Sequence, residues 1–271
     1  MKPLQSALLV LFSGLAGTAT AHAAPPRAAS ASPWQLQPAT LARGGGAGTA
    51  AAAMPVAPWA SHVFVLDDGS YEDSIGMGTD TPTPTQSGAV WLNRFHVTEA
   101  VTVDSISILW PTQAAGTLVG LQANLVVYHD ADADGDPGNA LRIGSDQLVT
   151  IAAMGTFQTY PTSFAVAGAG DLYIGFVDQW ALAGGYTPRR FPAALDQSSD
   201  QGMSWLAAAS TPPTDIVDLG TNDLLGTSAQ FGVPGNWLIR ATATSGVSDV
   251  IFRDGFELPD AGMAAGGAPQ S

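Results

Sequence analysis

From residue 61 to about residue 244, short runs of β-branched and aromatic residues alternate with clusters of Gly, Pro, Asp and Asn. This pattern is typical of successive short strands joined by turns. No window has the sustained 3.6-residue periodicity and capping residues of an amphipathic helix, so the helix content is predicted to be low. The clearest predicted strands are 62–66, 90–96, 101–110, 121–129, 147–152, 158–166, 171–177 and 237–243.

In two of these predicted strands, the pattern also indicates which side of the sheet each side chain occupies. Within 101–110 the apolar positions change parity across Asp104 and Ser105, which predicts a β-bulge or a strand apolar on both sides at that point. Within 171–177, one face carries Leu172, Ile174 and Phe176, and the other carries Tyr173 and Val177.

Eight or more strands without helical crossovers predict two antiparallel sheets packed face to face. We therefore expect an all-β fold, a two-sheet antiparallel β-sandwich of the jelly-roll or immunoglobulin-like kind. Trp91, Trp110 and Trp237 fall inside strand patterns and are predicted to lie in the core of that sandwich.

The first 23 residues (1–23) have the pattern of a secretory signal peptide. They contain one Lys near the start, an apolar stretch at 7–16, and small residues at Ala21 and Ala23 that suit a signal peptidase. This pattern predicts export, and the exported protein would be extracellular or periplasmic. The apolar stretch is short for a bilayer span, and no later segment has about 20 uninterrupted apolar residues, so no membrane span is expected.

The rest of the chain divides by composition into three parts. Residues 24–60 are rich in Ala, Pro, Gly and Ser with few large apolar residues, which predicts a flexible, disordered leader. Residues 61–244 are predicted to form the β-sandwich domain. Residues 245–271 are predicted to be a flexible C-terminal tail, in which an apolar and acidic piece at 250–258 precedes a run of Gly, Ala and Pro.

The net charge and the cysteine content exclude some classes of ligand and of chemistry. The chain has 23 acidic and nine basic residues, a formal charge of −14, and removal of Lys2 with the predicted signal peptide makes it −15. A polyanion such as nucleic acid would be repelled across the surface, whereas calcium and neutral ligands would not. The chain has no Cys, which excludes disulfides, thiolate metal ligands and a cysteine nucleophile.

The most informative stretch is DADADGDPGN at 130–139. Its first six residues have the D-x-D-x-D-G spacing that opens an EF-hand calcium loop, in which oxygens at positions 1, 3 and 5 converge on a hard cation and Gly permits a sharp turn. Carboxylates this close repel one another unless a dication lies between them. The predicted metal ligands are Asp130, Asp132, Asp134, Asp136 and Asn139, with water or the Asp136 carbonyl completing the shell.

The loop departs from a complete EF-hand at one position. Leu141 stands where a bidentate Glu would be supplied, so a modest affinity is predicted, with a Kd of roughly 10⁻⁴ to 10⁻³ M as in extracellular modules. Calcium would fix the hairpin that joins Val127 to Leu141, which is a structural role. The alternative is a solvated hairpin without metal, because Asp, Gly, Pro and Asn are also good turn formers.

Two further acidic groups are weaker candidates. One, at the end of the first predicted strand, matches the spacing of no metal loop, so a polar turn is predicted there. The other lies in a later loop of similar character and is assigned no ligand. The first group comprises Asp67, Asp68, Glu72 and Asp73, and the second Asp196 and Asp200.

Three aromatic residues fall in or beside loops rich in Gly, Pro and Asp: Trp180, Tyr186 and Trp205. Exposed rings at such positions would stack on the faces of sugars. The alternative is that they pack against the core or cap the ends of the sandwich.

Signals of catalysis are scarce. Beyond the predicted signal peptide there are three His and three Glu, and there is no H-E-x-x-H, G-x-S-x-G, S-x-x-K or P-loop motif. The His residues, His62, His96 and His129, are far apart in sequence and are interpreted as strand or strand-end residues. We therefore predict that the protein is not an enzyme. The alternative is an extracellular carbohydrate-active hydrolase that uses paired Asp residues, which the 20 Asp of the chain leave undefined.

Six motifs occur together across residues 61–243: VLDDGSYEDSIG at 65–76, AVWLNRF at 89–95, VVYHDADADGDPGNA at 126–140, DLYIGFVD at 171–178, AALDQSSDQGMSW at 193–205 and NWLIRA at 236–241. As a set they resemble a β-sandwich module that recurs in secreted bacterial proteins, a group with no agreed enzymatic activity. The resemblance implies the architecture and export more than a specific function. The IFRDGFE sequence at 251–257 is similar to a short tail of many exported bacterial proteins.

These patterns predict a secreted, non-catalytic β-sandwich module that is stabilised by calcium and acts in extracellular recognition or adhesion. The expected partner is a neutral glycan or another cell-surface component, and nucleic acid is not expected. The protein is predicted to be a monomer.

Overall fold

The computed structural model describes residues 34–39, 62–79, 88–113, 116–178, 190–209 and 213–245. Within these ranges the regular elements are strands and three single 3-10 turns, so the prediction of low helix content is confirmed. In the part of the chain that is described, no helix is long and apolar enough to cross a membrane. The predicted signal peptide, the leader apart from 34–39, and the tail beyond Ser245 lie outside the described residues.

The described chain forms fifteen strands, all paired antiparallel. The 3-10 turns are Pro137–Asn139, Leu219–Thr221 and Ala229–Phe231. The strands are β1 (Trp34–Ala39), β2 (His62–Phe64), β3 (Asp73–Thr79), β4 (Ala89–Val97), β5 (Val101–Leu109), β6 (Gln122–Asp130), β7 (Leu141–Arg142), β8 (Gln147–Thr150), β9 (Phe157–Val166), β10 (Gly170–Asp178), β11 (Ala193–Asp196), β12 (Ser204–Ala208), β13 (Leu224–Thr227), β14 (Asn236–Trp237) and β15 (Ile239–Ser245).

The strands form three sheets. The large sheet has seven strands in the order β13-β12-β4-β10-β6-β7, with β8 also paired to β6. The second sheet has the order β2-β15-β5-β9, and the third has the order β1-β3-β11-β14. Only Leu238 separates β14 from β15, so one stretch of chain passes directly from the third sheet into the second.

The main core lies between these sheets, and its largest members are aromatic. Trp91, Trp110 and Trp237 are fully buried, as predicted. The rings of Trp91 and Trp237 meet edge to face at 5.1 Å, and Trp110 meets Phe176 at 4.7 Å, which is a favourable geometry for aromatic pairs. The all-β sandwich that the sequence predicts is therefore confirmed, with a core built by the aromatic residues of its strands.

The opposite face of the large sheet carries a second, smaller apolar cluster. Alternation along β10 places Leu172, Ile174 and Phe176 in the main core and Tyr173 and Val177 in this second cluster, as the sequence predicts. The turn at Leu219–Thr221 covers it, with the Leu219 side chain fully buried. We refer to this side as the outer face of the large sheet.

The predicted bulge is also present. The register between β5 and β9 shifts between Val103 and Ser105, and the pairing of β15 with β5 shifts opposite the same point. The extra residue reverses the alternation of β5, so apolar positions of both parities face the main core.

The third sheet was not predicted, because β11 and β14 are short and β3 begins within an acidic turn. Its edge strand β1 lies within 24–60, where the sequence predicts a flexible leader. Six residues of that segment, 34–39, pair in register with residues 74–79 of β3. Ladder hydrogen bonds join main-chain groups, so an Ala- and Gly-rich context does not prevent a strand from forming at an open sheet edge.

Candidate metal centre

The acidic loop at 130–139 connects two strands of the large sheet. Asp130 is the last residue of β6, and the chain returns as β7, with His129 paired to Leu141 and Tyr128 paired to Arg142. The hairpin that the sequence predicts between Val127 and Leu141 is therefore present, and the loop lies at the end of a central, buried strand.

The loop is wound by its own aspartates, each of which accepts a hydrogen bond from the backbone N–H two residues later. Oδ1 of Asp130 accepts from Asp132 N at 3.2 Å, and Oδ1 of Asp134 accepts from Asp136 N at 2.8 Å. Gly135 adopts a left-handed conformation with φ of 85°, and Ala133 does so with φ of 51°. These Asx turns hold the carboxylates on the inside of a tight coil.

Three of the five predicted ligands come together in this coil. Ligand oxygens of Asp130, Asp132 and Asp134 all lie within 4.8 Å of one another. Asn139 donates from Nδ2 to Oδ2 of Asp132 at 3.1 Å, so its amide joins the group. Asp136 uses Oδ1 to accept the Gly138 N–H at 2.8 Å and so caps the 3-10 turn that follows.

Asp130 is the buried member of the group, only 2% exposed, whereas Asp132 and Asp134 are exposed. Within the described residues, Oδ2 of Asp130 is buried and has no hydrogen-bond partner. Burial raises the pKa of Asp130 to about 6, and the neighbouring carboxylates of Asp132 and Asp134 add to the shift. Ionised carboxylates only accept hydrogen bonds, so this group needs a shared proton or a cation between its oxygens.

A second buried carboxylate, Asp171 on β10, lies directly opposite Asp130 in the sheet. Unlike Asp130, it has basic partners on β4. Its Oδ1 lies 2.9 Å from Nδ1 of His96, and its Oδ2 lies 3.8 Å from Nε of Arg94. The two neighbouring acids therefore differ, because Asp171 has a basic side chain on each oxygen and Asp130 has an oxygen with none. No sequence pattern placed Asp171 or Arg94 at this site, and His96 was interpreted only as a strand residue, which it is in β4.

The loop also packs against the segment that covers the outer face. Asp136 and Asp218 cap the turns Pro137–Asn139 and Leu219–Thr221 in the same way, by accepting an N–H two residues later. The backbones of the two turns touch, because a Cβ atom at Gly220 would overlap the carbonyl oxygen of Gly138. The 130–139 loop and the Leu219–Thr221 turn that covers the outer face are therefore packed directly against each other.

This close approach predicts the effect of a single methyl group. Gly220→Ala is expected to lower the free energy of unfolding by about 1 to 3 kcal/mol, because the backbones of the two turns must separate. Denaturant unfolding measures the change. The matched control is Gly168→Ala, because a Cβ at Gly168 meets nothing within 4 Å, and it should change stability by no more than about 0.5 kcal/mol. Equal losses in the two variants would contradict the close packing.

The other two acidic groups of the sequence meet each other in the structure. Asp196 is fully buried and accepts from Asp68 N, from the hydroxyls of Ser198 and Ser199, and from Ser198 N. Glu72 accepts from Gln197 N at 2.7 Å. The carboxylates bind backbone N–H and hydroxyl groups at a junction between two loops, which agrees with the predicted polar turn.

Asp67 of that cluster has a separate role. It is buried and forms a two-pronged ion pair with Arg240 of β15, with Nε 3.1 Å from both carboxylate oxygens and Nη2 2.5 Å from Oδ1. The Arg240 guanidinium also lies over the Phe157 ring at 4.1 Å. This pair joins the turn after β2 to the second sheet, and sequence reasoning did not find it.

The predicted aromatic site is only partly described. Trp205, which was predicted to lie in or beside a loop, is the second residue of β12, directly after the 197–203 loop, and pairs with Leu92 and Thr227. Its ring meets Tyr173 edge to face at 6.1 Å on the outer face, so it is a half-buried packing residue. Trp180 and Tyr186 lie outside the described residues.

Comparison with known proteins adds one distant likeness. No family model matches the chain, and no curated protein matches it. Among solved structures, it is similar to the cysteine protease and lectin-like domains of Cwp84, a surface layer associated protein of Clostridium difficile, with a TM-score of 0.45 and 13% sequence identity. The match covers 68% of this chain and 36% of the other, so the chain spans about a third of that protein's length. A likeness this low assigns neither a family nor a function.

Proposed function

We propose that the protein is an exported, non-catalytic β-sandwich module whose 130–139 loop binds calcium and whose partner is a neutral glycan or another component of the cell exterior. The observation that carries the metal site is the buried Oδ2 of Asp130, which lacks a hydrogen-bond partner within the described residues and lies beside two further carboxylates. A cation satisfies this oxygen and removes the repulsion within the coil.

The donor set favours calcium. Its members are carboxylate and amide oxygens from a coiled backbone, and hard oxygen ligands in a flexible loop suit Ca²⁺ better than the rigid octahedron that Mg²⁺ demands. Asp130, Asp132 and Asp134 would supply the ligands at positions 1, 3 and 5, and Asn139 lies against Asp132. Because Asp130 ends a buried strand, the bound ion would hold the loop to the large sheet.

The partners of the other buried acids support a non-catalytic role. Asp67 is bound to Arg240, Asp196 is surrounded by backbone and hydroxyl donors, and Oδ1 of Asp178 accepts the Ala89 N–H. Each of these groups holds part of the fold together. Export, which the first 23 residues predict, would place the module where calcium is plentiful, and the acidic surface favours neutral ligands over polyanions.

The calcium site predicts a rise in thermal stability. Calcium at about 10 mM is roughly 10 to 100 times the expected Kd, which stabilises the folded state by about 1.4 to 2.7 kcal/mol. For a domain of this size the Tm should increase by about 3 to 10 °C. Differential scanning calorimetry of the chelator-treated protein, with and without calcium, measures the shift.

Two variants separate specific binding from a general ionic effect. Asp132→Ala combined with Asp134→Ala should abolish the calcium-dependent rise. Asp200→Asn, which removes one exposed acid elsewhere, should leave it unchanged. A wild-type Tm that calcium does not move would refute the metal site. A glycan panel then tests the partner, since saturable binding without turnover supports the module and turnover supports a hydrolase.

A further inference from the structure

Two buried carboxylates lie side by side where the 130–139 loop begins, and they repel each other when both are ionised. Asp130 on β6 and Asp171 on β10 are directly opposite in an antiparallel ladder, so their Cβ atoms are neighbours at about 5 Å. Both residues are buried. Their mutual repulsion must be offset by positive charge from the protein or from a bound ion.

Arg94 is placed to supply that charge. It lies on β4, on the other side of β10, with Nε 3.8 Å from Oδ2 of Asp171. Its guanidinium also lies directly beneath the metal loop, because a Cβ atom at Gly135 would overlap Nη1 of Arg94. The side chain is one-quarter exposed, so its charge is only partly screened by water. It therefore touches both the loop backbone and the second acid.

We propose that Arg94 is an internal counter-cation that keeps the metal loop folded when calcium is absent and, for the same reason, lowers the affinity of that loop for calcium. This inference rests on the proposed calcium site. In general, a unit positive charge about 8 Å from a dication weakens its binding about fivefold even in a water-like dielectric. Arg94 would therefore contribute to the modest affinity expected of the loop, together with Leu141 in place of the bidentate Glu.

The inference predicts opposite effects of one substitution. Arg94→Met removes the charge and keeps a long, flexible side chain. It should tighten the calcium Kd about fivefold and lower the Tm of the calcium-free protein. Arg94→Lys keeps the charge and should leave the Kd within about twofold of wild type. Isothermal titration calorimetry at pH 8 and low ionic strength measures the affinities, and calorimetric melting of chelator-treated protein measures the Tm.

A second variant distinguishes charge from support. Asp171→Asn added to Arg94→Met restores the net charge of wild type beside the loop, so it should return the Kd and the calcium-free Tm towards wild-type values. If Arg94 only supported the loop backbone, Arg94→Met would weaken binding, and Asp171→Asn would not reverse the loss.

Each outcome decides the matter. If the wild type binds calcium and Arg94→Met binds it with the same or lower affinity, the inference about Arg94 is wrong and the calcium site stands. Wild-type protein that takes up no calcium overturns the site and the inference with it. Tighter binding in Arg94→Met that Asp171→Asn reverses supports both.

Discussion

Replacement of Asp67 by Asn is expected to lower the free energy of unfolding by about 3 to 5 kcal/mol, because it leaves the Arg240 guanidinium buried without its counter-ion. Arg240 is 8% exposed and directs two nitrogens at the Asp67 carboxylate. An Asn side chain would turn either one neutral oxygen or an N–H donor toward that cation. The loss is a large part of the 5 to 15 kcal/mol that a domain of this kind possesses.

The neighbouring residue offers a matched control. Asp68 is exposed and accepts from Ser70 N through Oδ1 and from Ser198 Oγ through Oδ2. An Asn side chain keeps the first bond through its oxygen and can donate from Nδ2 to the Ser198 hydroxyl. Asp68→Asn should therefore change the stability by no more than about 0.5 kcal/mol. Urea unfolding of the two variants measures the difference. Similar losses of unfolding free energy in Asp67→Asn and Asp68→Asn would mean that an unpaired Arg240 does not destabilise the fold.

The cost should come from the unpaired charge and not from the loss of a strong attraction. Burial raises the pKa of the Asp67 carboxyl and the Arg240 guanidinium opposes that shift, so desolvation consumes much of the energy of the pair. A double variant, Asp67→Leu with Arg240→Met, should therefore recover most of the stability. The Met side chain would keep a contact with the Phe157 ring.

Structural features that depend on residues close together in the chain were predicted correctly from the sequence. Alternation along β10 correctly separated Leu172 from Tyr173, and the change of parity at Asp104 located the bulge in β5. Both signals arise because side chains of a strand alternate between faces, which is a local rule. The turns of the 130–139 loop are local too, since each aspartate binds a backbone group two residues away.

Pairs of residues that are distant in sequence were missed. Asp67 and Arg240 are 173 positions apart, and Asp171 meets Arg94 only because β10 pairs with β4. One sequence signal was available. The chain has only eight Arg, and Arg94 and Arg240 both fall inside strand patterns that are rich in apolar residues. An Arg in such a position requires a carboxylate partner, but the sequence cannot choose one among 20 Asp.

Replacement of Asp178 by Asn should stabilise the protein at alkaline pH, in contrast to the destabilisation expected for Asp67→Asn. Asp178 ends β10, is 7% exposed, and accepts the Ala89 N–H through Oδ1. Burial raises the pKa of this carboxyl to about 7, whereas the ordinary value is 3.8. The neutral Asn side chain has a similar shape and still accepts the Ala89 N–H, but it carries no charge to desolvate.

The raised pKa fixes the direction of the pH dependence. Between about pH 4 and pH 7 the folded protein holds a proton on Asp178 that the unfolded chain releases, so this contribution to stability is complete below pH 4 and is lost as the pH rises through 7. At pH 8 the Asp178 carboxylate of the wild type is buried and ionised, which destabilises the folded state. Asp178→Asn should therefore raise the free energy of unfolding by at most about 4 kcal/mol at this pH.

Near pH 5 the carboxyl is still protonated in the folded state, so the gain should shrink to about 1.5 kcal/mol. Urea unfolding of both proteins at pH 5 and pH 8 measures the two differences. Asp200→Asn, at an exposed acid that accepts the Gly202 N–H, is the control and should show no comparable gain at pH 8. An Asp178→Asn gain that is the same at both pH values would show that shape and hydrogen bonding, and not the buried charge, determine the effect.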